Sequence, residues 1–217
     1  MNKIYSLILL IGALFMFSSC EEEEVVEVHY FPVVVSNTVE NAIYYQTLGL
    51  DFLSYNASQI VNESIVEPKE SYQYNTDVNN SWANGWSNYE YHYNATTVGD
   101  EINFDSSVDG EYETYLMTSD DESESQTVLS QISASSDYFL LSGNASKDGF
   151  QYSKTYKDSF NSTVDLNFEN LEVNRITGYI KHGTVSFIYN GTSSYGVSYN
   201  CTGKIEYNDY VSILVFD

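Results

Sequence analysis

From Glu70 onward the apolar residues of this chain recur at every second position, as in Tyr72/Tyr74, Tyr89/Tyr91/Tyr93, Ile102/Phe104, Phe150/Tyr152, Val164/Leu166/Phe168, Val185/Phe187/Tyr189, Val197/Tyr199/Cys201 and Val211/Ile213/Val215. The positions between them are mostly Ser, Thr, Asn, Gln or Glu. A period of two sends successive side chains to opposite faces of a pleated strand, so the pattern predicts half-buried antiparallel strands with one dry and one wet face. Turn dipeptides accompany these runs at Gly99-Asp100, Asp109-Gly110, Asp148-Gly149, Asn190-Gly191 and Asn208-Asp209, which predicts hairpins and meanders. The expected fold is all-β: an antiparallel sandwich, an open barrel or a large curved sheet of about ten strands.

Upstream the period changes. Val39, Ala42, Ile43 and Gln46 follow a spacing of three and four, Asn37 or Thr38 can cap, and Gly49 closes the run, so residues 38–48 read as one short N-terminal helix. The Val-rich residues 25–35 read as a linker or an edge strand, because Pro32 cannot donate to a ladder. No helical pattern separates the later strands, which excludes the parallel βαβ folds that bind nucleotides.

The first 20 residues follow a different plan: one positive charge at Lys3, an apolar run over residues 4–17, then small residues and Cys20. This is the layout of a secretory signal, and the run is shorter than the roughly 20 residues that cross a bilayer. Residues 1–19 therefore read as a signal peptide, residues 20–36 as a lipidated N-terminus with an acidic linker, and residues 37–217 as a single β-rich domain.

Phe17-Ser18-Ser19-Cys20 resembles the lipobox of bacterial lipoproteins, with Phe17 standing where Leu is usual. Glu21-Glu22-Glu23-Glu24 resembles the acidic stretch that follows the lipidated cysteine in surface lipoproteins of the Bacteroidota. Residues 140–217, with segments such as Gly183-Thr184-Val185-Ser186-Phe187 and Gly203-Lys204-Ile205-Glu206-Tyr207, are similar in style to the last strands of such proteins. The resemblance implies lipid on Cys20, a membrane anchor through that lipid, and an outer-membrane location facing the cell exterior. It implies no catalytic residues.

Charge narrows the partners. The formal net charge is −23, from 31 acidic and 8 basic residues, so the positive footprint that nucleic acid or anionic head groups require is missing. Such a surface suits solubility, calcium-rich water or a cationic partner. With Cys20 lipidated, Cys201 is the remaining thiol, and its alternation with Val197 and Tyr199 points it into the core. Tyrosine dominates the aromatics, 21 against 11 Phe and 2 Trp, which suits strands whose rings pack while their hydroxyls reach water.

Three segments carry candidate chemistry. Asp105-Ser106-Ser107-Val108-Asp109-Gly110 fits the opening of a calcium loop, with Glu113 at the ninth position, although Leu116 occupies the twelfth where a bidentate Glu is wanted. The competing reading is a hairpin turn at Asp109-Gly110. Asp120-Asp121-Glu122-Ser123-Glu124 reads as a solvated acidic loop or a loose calcium site. Trp82 and Trp86 lie in a stretch rich in Asn and Ser, where flat rings beside amides suit the faces and hydroxyls of a sugar; the competing reading makes them core plugs.

His29, His92 and His182 are too far apart in sequence for a zinc motif, and no metalloprotease, nucleophile-elbow or phosphate-loop pattern occurs. Eight Asn-x-Ser/Thr sequons read as turn and wet-face chemistry. Calcium aside, no cofactor is expected. The chain thus reads as a non-enzymatic, membrane-anchored lipoprotein whose domain is a structural or binding module for a glycan or a surface protein. The alternative is a periplasmic carrier that cradles a lipid or lipoprotein acyl chain on a half-barrel.

Overall fold

The computed structural model describes residues 31–217. The alternation of the sequence becomes nine strands: β1 (Ser71–Trp82), β2 (Gly85–Val98), β3 (Glu101–Thr114), β4 (Met117–Ser130), β5 (Tyr138–Ser153), β6 (Asp158–Asn174), β7 (Ile180–Ser193), β8 (Ser198–Asn208) and β9 (Val211–Phe216). They form one open antiparallel sheet in sequential order, with β1 and β9 as its edges. The fold is all-β, as the two-residue period predicts.

Two helices precede the sheet, α1 (Phe31–Asn41) and α2 (Leu50–Val66), joined through a 3-10 turn (Tyr45–Thr47). Val35 and Val39 of α1, Ile43 in the turn after it, and Leu53, Ala57, Ile60 and Val61 of α2 are buried in one cluster with Phe104, Leu141, Val164, Val185 and Phe187 of the sheet. The face of the sheet that meets the helices is called inner below. Next to this cluster Leu48 and Phe52 pack on Tyr89, Tyr91, Tyr112 and Met117, with the Phe52 and Tyr91 rings edge to face at 4.9 Å. Burial of each large side chain is worth roughly 1.5–3 kcal/mol, so the helices gain most of their stability from this docking. The cavity between the start of α2 and the sheet is about 30 Å³, and a more open pocket of about 640 Å³ lies at the other end of α2, beside Ile65, Tyr72, Ile102 and Ile132.

The helical region departs from the sequence reading in three ways. Residues 31–35 are helical, because Pro32 falls in the first turn of α1, where a missing N–H is no loss. The domain boundary drawn at residue 37 therefore lies inside α1, whose Val34 and Val35 are already buried. The expected helix over residues 38–48 breaks after Asn41, and a longer helix follows at Leu50–Val66. Gly49 permits the junction, since a Cβ there would strike the Ala42 carbonyl.

Three expected turns lie inside strands: Asp109-Gly110 in β3, Asp148-Gly149 in β5 and Asn190-Gly191 in β7. Gly110 pairs with Tyr89, and a Cβ at Gly110 would meet the Tyr89 ring at 2.8 Å. A Cβ at Gly149 would run into Asp121 and Gln151. These glycines make room for large or polar neighbours within the sheet, a use that a sequence cannot distinguish from a turn. Asn170, at φ 53°, forms a bulge in β6 that moves burial from Phe168 to Leu171 and shifts the register against β5 and β7.

Candidate functional site

On the outer face, away from the helices, β5–β8 form an open trough of about 550 Å³. That volume falls in the range of small-molecule sites. Two neighbouring rows of the ladder line it. In one, Asp148, Thr163, Asn190 and Asn200 pair in succession; in the other, Asn161, Thr192 and Ser198 do so, with Phe150 paired to Asn161 at the trough's border. Gly149 and Gly191 lie between these rows, and the side chains they lack would point to the inner face, where Asp121, Gln151 and Tyr189 take the space.

The trough chemistry is amide and hydroxyl. No other described residue hydrogen-bonds to the side chains of Asn161, Asn190 or Asn200, whereas Thr163 donates to Asp148 and the Thr192 and Ser198 hydroxyls lie 3.4 Å apart. Each amide offers two donors and one acceptor oxygen. Phe150 borders the row at 51 % exposure, and Tyr152 stands two residues along β5 at 37 %. Four strands span about 14 Å, enough for two or three sugar rings laid across them.

The same row continues leftward as carboxylates. Asp77, Glu90, Asp109, Glu122 and Asp148 pair one after another across β1–β5, and all five are exposed. Like charges directly opposite each other are destabilising, so the row opposes its own register and repels any anion approaching the trough. Glu113, nearby on β3, is neutralised by Lys154 at 2.6 Å, which together with the Trp86 indole holds its carboxyl below the usual range.

Beneath the sheet lies a second polar cluster of another kind. Asp121 of β4 and Lys147 of β5 pair at 2.9 Å, and among the described residues they are the ion pair with both partners buried. The Asp121 carboxylate also accepts hydrogen bonds from Tyr89 at 3.2 Å, from Gln151 at 3.4 Å and from Ser119. Lys147 donates to the Thr47 carbonyl at 3.2 Å, and its ammonium lies 5.4 and 5.6 Å from the Tyr89 and Tyr112 ring centres. Burial first, then the adjacent carboxylate, holds the Tyr89 hydroxyl far above its ordinary range, so it stays protonated and donates. Ser119 has a carboxylate beside it but no histidine to act as base, and the cluster is closed to substrate. Its role is to fasten the 3-10 turn to the sheet.

The residues singled out by sequence are dispersed. Trp82 and Trp86 flank the β1–β2 hairpin on opposite faces: Trp86 points outward and donates to Glu113 at 3.2 Å, while Trp82 folds over Gly85. They share no platform. Asp105, Asp109 and Glu113 point outward along β3 at intervals of four residues, about 13 Å each, so one calcium ion cannot reach all three. In the run Asp120-Asp121-Glu122-Ser123-Glu124, strand alternation turns Asp121 inward and leaves Asp120, Glu122 and Glu124 outside. Cys201 is buried opposite Tyr189. His92 and His182 lie beside Glu90 and Asp209 at 3.9 and 3.5 Å, and no cluster of three metal-ligating side chains occurs among the described residues. Cys20, Glu21-Glu22-Glu23-Glu24 and His29 lie outside the described residues. No helix among them is long and apolar enough to cross a membrane.

The trough residues escaped the sequence reading because Asn161, Thr163, Asn190, Thr192, Ser198 and Asn200 are ordinary wet-face positions until register brings them together. Comparison with protein-family models gave no match, and neither did comparison with curated proteins or with solved structures.

Proposed function

We propose that this chain is an exported lipoprotein, anchored through lipid on Cys20 and facing the cell exterior, whose β domain binds a neutral glycan in the outer trough of β5–β8. The carrying observation is the trough itself: three unengaged amides and three hydroxyls beside an exposed Phe150, in a concavity of about 550 Å³. Sugar hydroxyls are met by amides, and the C–H face of a ring by an aromatic side chain. The carboxylate row disfavours uronic or sulfated chains. No set of catalytic groups converges there, in keeping with a binding module.

This reading is preferred to an acyl-chain carrier for a physical reason. The inner side of the sheet, where an acyl chain would lie, is covered by α1 and α2; the cavity between the start of α2 and the sheet, about 30 Å³, has room for a water or two, and the pocket of about 640 Å³ at the far end of α2 is open and lined mostly by Ser, Thr, Gln, Asp and Glu.

The test is calorimetric titration of the full chain with neutral and with anionic oligosaccharides of three to six units. Neutral chains should bind, and Phe150→Ala or the pair Asn190→Ala and Asn200→Ala should weaken them at least tenfold, about 1.4 kcal/mol. Absence of binding to any neutral oligosaccharide, or affinity untouched by those substitutions, would remove the glycan reading.

A further inference from the structure

The two edges of the sheet are built differently. β1 carries Tyr72, Tyr74, Val78 and Trp82 on its inner face, but its outer face is Ser71, Gln73, Asn75, Asp77, Asn79 and Ser81, and a charge near the middle of an edge strand discourages pairing with another chain. β9 reads Val-Ser-Ile-Leu-Val-Phe, with no charge and no proline, and leaves Val211, Ile213 and Phe216 at 60 %, 56 % and 42 % exposure. Its ladder hydrogen bonds run to β8 alone among the described strands. An apolar edge without such protection is a template for a further strand.

We propose that β9 is an interface between two copies of this chain, paired antiparallel about a two-fold axis so that two nine-stranded sheets become one. Charge selects this occupant and this edge. The carboxylate row occupies β1–β5, and the nearest charges to β9 on β8, Lys204 and Glu206, neutralise each other at 2.5 Å. Joining copies through β9 keeps the two Asp148 side chains nine strand spacings apart, about 43 Å and several screening lengths. Joining them through β1 would set two Asp77 side chains on touching strands. A β1 to β9 contact would be head-to-tail, giving rings or open chains rather than a two-fold pair.

Register follows from the pleat. A two-fold axis normal to the sheet keeps outer face with outer face, so paired residue numbers sum to an even value. Centring on Ile213 would set Asp217 against Asp209, whereas centring on Leu214 pairs Ile213 with Val215, Ser212 with Phe216, and Leu214 with its own copy. The second register brings no two carboxylates together, and it is the one assigned here.

The experiment is sedimentation velocity on the full chain, with variants at both edges. The parent should run at twice the mass of one chain, Ile213→Lys at the mass of one, and Asp77→Lys should remain double. Leu214→Cys should cross-link to its copy on mild oxidation, while a cooperative melting transition of Ile213→Lys, lower than the parent's because the partner is lost, shows that the fold survives. A parent that stays single at high micromolar concentration overturns the proposal, as does an Ile213→Lys chain that stays double. A strand supplied by residues upstream of Phe31 would give the single-mass result.

Discussion

Burial at the start of α2 pushes the Asp51 carboxyl up to about 6, with the Tyr207 hydroxyl opposing the shift. Carboxylates in the first turn of a helix are usually favoured by the helix dipole, so desolvation wins at this position. An acid whose folded value exceeds its unfolded value of 3.8 contributes stability that is complete below about pH 4 and is lost as pH rises through about 6. The expected outcome for Asp51→Asn is a higher melting temperature than the parent at pH 7.5 and little difference at pH 4. Because Asp51 keeps some exposure, the gain should be about 1–2 kcal/mol rather than the full value of the shift. Urea unfolding of both proteins at the two pH values decides it; an equal difference at both would show that Asp51 is not the group responsible.

At the scale of elements, β4 and β5 are held to the 3-10 turn by Lys147, which reaches both Asp121 and the Thr47 carbonyl. Lys147→Met keeps most of the volume and strands a buried carboxylate, so a loss of about 3–5 kcal/mol is expected, and adding Asp121→Leu should restore part of it. Chemical denaturation of the single and double variants measures the difference, and a single variant as stable as the parent would contradict the packing described. This same pair explains why β4 is hard to see in the sequence. Its inner face carries Ser119, Asp121, Ser123 and Ser125, so both faces look polar and the strand passes for an acidic loop. β7 and β8, whose inner faces are Val, Phe, Tyr and Ile, are legible from period alone. α2 is obscured for a related reason, since Ser54 and Ser58 face inward and Ser54 donates to the Gly178 carbonyl at 2.8 Å, interrupting the apolar stripe. The trough and the carboxylate row are invisible in one dimension because they exist only once three and four successive registers, respectively, are known.

For the whole molecule, the sign of the surface and the proposed anchor act together. A lipid chain on Cys20 gives only modest affinity for a bilayer by itself, and a net charge of −23 is repelled by anionic lipid, so attachment depends on the acyl groups alone. Cys20→Ser is therefore expected to lose fatty-acid labelling and to appear in the soluble fraction; continued labelling of that variant would refute the anchor. Sequential strand order has a further effect, on how the sheet is assembled. Each strand pairs with the one just made, so every ladder closes a short loop and the contact order is low for an all-β chain. On the proposed export route, a polypeptide emerging from its N-terminus can then zip hairpin upon hairpin, with no early strand left waiting for a late one.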